Sequence, residues 1–144
     1  MTTQLPPNIE EFNELTAVIF AQLYIVHPLP KTLEPDEVAG VLGRPPAATL
    51  PSGRPFNDVF AHTVGWLVHE KYIYPNGAHP RERVQLTDKA LVAMNVVPPS
   101  LGRSRGSELV DATKSASTEA GRGRLGEIVA AVVEGITKGV IGSQ

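Results

Sequence analysis

Three groups of residues have types and spacing that could do chemistry. Asp58 and His62 stand four positions apart, and His69 follows seven after His62. On a helix, Asp58 and His62 share a face and could ligate one metal ion. His62 and His69 would lie about 10 Å apart along the axis, which is long for a single ion. With no third ligand evident, the simpler reading is a surface histidine with an acidic neighbour that supports the helix. The second group is Gly121-Arg122-Gly123-Arg124-Leu125-Gly126, which matches the G-x-G-x-x-G dinucleotide pattern. That chemistry needs a strand before the glycines and an acidic residue ~20 positions after them for the ribose. The preceding Ser115-Ala116-Ser117-Thr118-Glu119-Ala120 is not strand-like, and counting on from Gly126 passes Gln144. The stretch therefore reads as a Gly/Arg linker running into a helix. The third group is Trp66, Tyr72 and Tyr74. They could stack single-stranded bases, but core and sheet packing is the commoner use of such residues.

Nucleophilic chemistry has little to draw on. The chain contains no cysteine, which excludes disulfides, thiolate catalysis and Cys-based zinc sites. There is no G-x-S-x-G and no paired-carboxylate pattern, and spacing does not assemble Ser52, Asp58 and His62 into a triad. The expectation is a protein with no catalytic residue, no metal and no cofactor.

Composition sets the outer bounds. A length of 144 residues suits one domain with a tail, and a hydrophobic content of 42% is enough for a core. The net charge of −2 does not suggest a polyanion binder by bulk electrostatics. The first residues show no basic n-region or apolar run, and no stretch of ~18 apolar residues suggests a membrane span. A cytoplasmic protein is expected.

The elements that must position these residues follow from periodicity. Asn8 is placed to cap a first helix, with Glu11 three residues on as in a capping box. Ile9, Phe12, Leu15, Ile19, Leu23 and Val26 recur at helical spacing, and from Ala17 to Val26 only Gln22 is strongly polar. Such a helix is buried on several sides, at the domain centre or in a dimer contact. His27-Pro28 ends it. Lys31–Leu33 suits a short strand. Pro35, Asp36 and Glu37 open a second helix that carries Val38, Val41 and Leu42 and stops at Gly43. A Pro/Gly loop leads to Pro55 and a third helix. Its broad apolar face holds Phe56, Val59, Phe60, Val64, Trp66 and Leu67. Opposite lie Asp58, Ala61, His62, Gly65 and His69, with Asn57 at the border. Tyr72–Tyr74 and Val84–Leu86 flank turn residues as a hairpin. Thr87 caps a short helix with Ala90, Leu91 and Met94.

Helix, short strand, helix, helix, hairpin, short helix is an order that resembles a winged helix-turn-helix domain. The stretch "VGWLVHEKYIYPNGAHPRERVQLTDKAL" resembles the end of a recognition helix, a Gly/Pro wing and a Leu-Thr-x-Lys step after it. The resemblance covers residues 8–97. It implies an α+β, mostly helical winged helix domain with a three-element β wing, and a DNA binder whose third helix enters the major groove.

Two features depart from that pattern. About twelve residues separate the second and third helices, where the helix-to-helix turn normally has 3–4. The outward face of the third helix also lacks the Arg and Lys that read base edges. Ala61 and Gly65 on that face would instead admit a close partner. Residues 1–98 carry seven basic against ten acidic side chains, a net of −3. Arg44, Arg54, Arg81 and Arg83, with Asn57, could hold a DNA backbone, but they are few.

Residues 98–124 are rich in Ser, Gly and Arg and poor in large apolar side chains. They read as a flexible linker with at most a transient helix over Ser107–Ser115. Residues 125–141 form a C-terminal amphipathic helix. Its apolar stripe is Leu125, Ile128, Val129, Val132, Val133, Ile136 and Val140, with Gly135 and Gly139 at the border. Such a helix needs a surface. Self-association, a partner groove, the chain's own domain and a membrane surface are the options, in which association ranks first and membrane last. The expectation is a non-enzymatic module for protein–protein interaction or assembly. Its contact residues are Ala61, His62, Gly65 and His69 on the third helix, and Val129, Val132, Val133, Ile136, Gly139 and Val140 on the last. The alternative is a dimeric DNA-binding transcriptional regulator that uses Arg44, Arg54, Asn57, Arg81 and Arg83.

Overall fold

A computed structural model describes residues 6–45, 47–95 and 104–142, with 133–142 described as helical backbone. Among these residues the fold is α+β and mostly helical. In chain order the elements are α1 (Pro7–Val26), α2 (Pro35–Val41), α3 (Phe56–His69), β1 (Ile73–Pro75), β2 (Val84–Leu86), α4 (Asp88–Met94), α5 (Arg105–Thr113) and α6 (Glu119–Gly142).

Helix α1 is the axis of the core. Leu15 through Ala21, and Leu23, are all buried, and α2, α3, β2, α5 and α6 all pack on this helix. The nearly all-round apolar pattern thus places it at the centre of the chain's own fold. Its start differs from the expected capping box. Pro6 is the N-cap, Asn8 lies inside the first turn, and the Glu11 side chain is buried. Glu11 Oε2 accepts the Ser52 backbone N–H at 2.8 Å, so this carboxylate holds the α2–α3 loop instead of the helix end.

The other local expectations fall close to the observed elements. Gly43 ends α2 with φ +69°, a conformation that suits glycine. Thr87 Oγ1 accepts the Ala90 N–H and caps α4. The hairpin pairs Ile73 with Leu86, Tyr74 with Gln85 and Pro75 with Val84 in antiparallel register. Lys31 meets Val84 in a single antiparallel bridge, so the expected strand at 31–33 is one residue of pairing. The long α2–α3 loop is itself folded. Thr49 bridges to Pro55, Leu50 is buried, and the Leu50 N–H donates to Arg54 O at 2.8 Å.

The expected flexible linker is corrected over residues 104–124. Here the chain forms α5 and the start of α6, and Leu109, Ala112, Ala116 and Leu125 are buried in the core. Residues 98–103 lie outside the described part. The physical reason is close packing by small residues. Ser104 caps α5 by accepting the Ser107 N–H, and the Tyr24 ring lies directly over Gly106. Few large side chains are needed where backbones approach this closely.

Candidate interaction surface on the third helix

Helix α3 buries Phe56, Phe60, Thr63, Val64 and Leu67. That leaves the opposite side to solvent, as the 3.6-residue period requires. Asn57, Asp58, Ala61, His62 and His69 are exposed, and a Cβ added at Gly65 would meet open space. The structure therefore brings Ala61, His62, Gly65 and His69 together on one outward face. His69 Nε2 lies 3.7 Å from Glu70 Oε2 in an exposed contact. No third histidine or acidic residue joins Asp58 and His62: among the described residues no group of three or more metal-ligating side chains converges.

Two depressions flank α3. One, of about 550 Å³, lies between its outer edge and the start of α1, bounded by Ile9, Phe12, Arg54, Asp58, His62 and Trp66. The other, of about 400 Å³, lies toward the hairpin loop, with Phe60 and Val64 beneath it and Asn57, His79 and Arg81 at its edge. Trp66 was expected on the buried face, yet it is 42% exposed. It occupies the margin of the apolar stripe. The edge of Phe12 meets its ring at 5.0 Å and 85°, while Tyr72 stacks on it at 5.8 Å. Both neighbours fix the indole, and Tyr72 already occupies a stacking position that a base would need. Tyr72 itself is buried, with Lys89 Nζ 4.3 Å from its ring centre. Tyr74 is exposed and donates its hydroxyl hydrogen bond to Gln85 Oε1.

Sequence reasoning missed Ile9, Phe12 and Trp66 as surface residues. The available signal was the row Asp58, His62, Trp66 at i, i+4 and i+8, which runs along the edge of the outward face.

The arginines divide into held and free groups. Arg44 is half-buried, with Nη2 3.3 Å from Glu14 Oε2, so it faces α1 and not an incoming backbone. Arg122 Nε lies 3.8 Å from the other Glu14 oxygen and its Nη1 donates to Leu42 O and Ser117 O. Burial raises the Glu14 pKa, and the Arg44 and Arg122 charges pull against that rise. Arg81 Nη1 lies 3.5 Å from Glu34 Oε2 and donates to Leu33 O. Arg54 and Arg83 are exposed and make no ion pair among the described residues. Arg83 holds φ +50°, with its backbone N–H donating to Thr32 Oγ1.

The C-terminal site requires a correction. Val129 and Val132, expected on an association face, are 1% and 0% exposed in the chain's own core, together with Leu125 and Ile128. Their stripe lies on the core of the same chain because α1, α4 and α5 present apolar surface to α6. Val133, Ile136, Gly139 and Val140 are described as α6 backbone only, so the contacts expected of them lie outside the described side chains. The Gly121–Gly126 stretch is part of α6, not a loop after a strand. Thr118 caps that helix, its Oγ1 accepting the Gly121 N–H at 3.0 Å. No described helix is long and apolar enough to cross a membrane. Comparison with protein-family models, curated proteins and solved structures found no match to this chain.

Proposed function

We propose that this chain is a non-enzymatic winged-helix-type module that binds another protein through the outward face of α3. The observation that carries the reading is the character of that face. It is small and neutral at Ala61 and Gly65, and it borders a depression in which Ile9 and Trp66 are 40% and 42% exposed. Exposed apolar side chains gathered in a concavity mark protein contacts. Major-groove readers present Arg, Lys, Asn or Gln along this helix, and here Asp58, Ala61, His62 and Gly65 stand in those places.

A second reading has a specific observation in its favour. Arg54, Asn57 and Arg83 are exposed at the start of α3 and in the hairpin, where they could hold a DNA backbone. The held states of Arg44 and Arg81 leave few free cations for it.

Affinity isolation from the native cell separates the two, with protein and nucleic acid both analysed. The expected result is a protein retained by the wild type and by Arg83→Ala, and lost from Gly65→Glu. Salt-sensitive duplex DNA lost from Arg54→Ala with Arg83→Ala would overturn the protein reading.

A further inference from the structure

The depression between α1 and α3 has a shape and charge that specify its occupant more closely. We infer that it receives a short amphipathic helix of another protein, which sets apolar side chains against Trp66 and Ile9 and brings a carboxylate to Arg54. This inference rests on the α3 face being a protein-binding surface.

The depression has an apolar lining. Phe12, Val59 and Trp66 form it, with Ile9 at the lip. From Asp58 to Trp66 the wall runs about 12 Å at 1.5 Å per residue, the length of roughly two helical turns. That length suits anchors at i, i+4 and i+7 on the partner, which span about 10.5 Å. The depression is partly open to solvent, so it suits a segment that keeps a solvated face and not a molecule that must be enclosed. Trp66 is already immobilised by Phe12 and Tyr72, so little side-chain freedom is lost when a partner covers it.

Polar residues share the lining, among them Arg54 just before α3 begins. Arg54 brings an exposed guanidinium that makes no ion pair among the described residues. Arg44 and Arg122 have Glu14 as a carboxylate partner, Arg81 has Glu34 and Arg124 has Glu108, while Arg83, which like Arg54 has none among the described residues, does not line this depression. Among the described residues Arg54 is thus an unpaired cation in this groove, open to a carboxylate from a partner. Asp58 lines the same depression, so a partner carboxylate must approach from the Arg54 side. The groove selects polarity as well as hydrophobicity.

Trp66 is the one tryptophan in the chain and reports occupancy directly. The full-length protein is titrated at low salt with three synthetic 14-residue helical peptides, and Trp66 emission is followed. The first carries Leu at i, i+4 and i+7 with Glu at one end. In the second the Glu residues become Lys, and in the third the Leu residues become Ala. The expected result is a saturable emission shift with the Leu/Glu peptide, several-fold weaker binding of the Lys peptide, and no response to the Ala peptide. Arg54→Glu should reverse the preference between Glu and Lys, and Asp58→Asn should strengthen the Glu peptide. Both positions are exposed, and circular dichroism checks that each variant stays folded. No shift with the Leu/Glu peptide, or an unchanged preference in Arg54→Glu, overturns the inference. A native partner lost from Gly65→Glu but kept by Ile9→Ser also overturns it while leaving the α3-face reading intact.

Discussion

The ring of Tyr24 lies against Gly106 so closely that a Cβ there would sit 2.6 Å from ring atoms Cε1 and Cζ. The Tyr24 hydroxyl also donates to Asn95 Oδ1 at 2.9 Å and lies 3.1 Å from the Ser104 hydroxyl. One side chain of α1 thus ties the end of α4 to the start of α5. Gly106→Val should destabilise the protein by about 1–3 kcal/mol through overpacking. Urea denaturation measures the loss. Combined with Tyr24→Ala, the two effects should fall short of additive because they act on one contact. Full additivity would show that Gly106 matters for some other reason.

Glu11 gives the long α2–α3 loop its fixed position. Its Oε2 accepts the Ser52 N–H, while Oε1 and the Ser52 hydroxyl are buried without a hydrogen-bond partner among the described residues. Glu11→Ala leaves the Ser52 amide without an acceptor, a cost of about 1–3 kcal/mol. Glu11→Gln retains an acceptor oxygen and should lose less. Amide exchange at Ser52, measured by NMR, should accelerate in the alanine variant far more than in the glutamine one.

Glu14 gives a pH dependence of defined sign. Burial raises its pKa in the folded state above the usual carboxylate value, despite Arg44 and Arg122. Between the unfolded and folded pKa the native chain then binds more protons than the unfolded one, so this residue's contribution to stability declines as pH rises. Glu14→Gln removes that titration. The stability of the wild type relative to Glu14→Gln should therefore be greatest at pH values below the ordinary glutamate pKa. It should decrease as pH is raised through the folded value. Denaturation midpoints of both proteins across that range check it, and a difference that grows with pH would contradict the assigned direction.

Three glycines should respond differently to the same change. Gly121 lies in the first turn of α6, where a Cβ would collide with the Ser115 carbonyl oxygen. Gly121→Ala should therefore destabilise. Gly123 and Gly65 have open space at the Cβ position. Each lies inside a helix, so Ala should stabilise by roughly 0.5–1 kcal/mol. Gly65→Ala should also weaken partner binding if the α3 face is the contact, while Gly123→Ala should not. Thermal melts and the affinity isolation described above read the two effects separately.

Periodicity and capping chemistry determined the long elements. The near-continuous apolar face of α1, Gly43 at the end of α2, Thr87 before α4 and the turn residues of the hairpin each leave a local physical signature. Such signals depend on neighbours a few residues away, so they are readable along the chain. The row Asp58, Ala61, His62, Gly65 and His69 was likewise legible as an outward face, because helical phase alone separates it from Phe60, Val64 and Leu67. Tertiary structure decided what no local pattern encodes. Residues 104–124 look like a linker because they carry few large apolar side chains. They are helical because Gly106 admits Tyr24, and because Leu109, Ala112 and Ala116 find surface on elements distant in sequence. Val129 and Val132 face the chain's own core because α1, α4 and α5 converge there. Arg44 and Arg54 are equivalent as sequence. Of these two, Glu14 lies within reach of Arg44 and not of Arg54, so one is held in an ion pair and the other has none among the described residues.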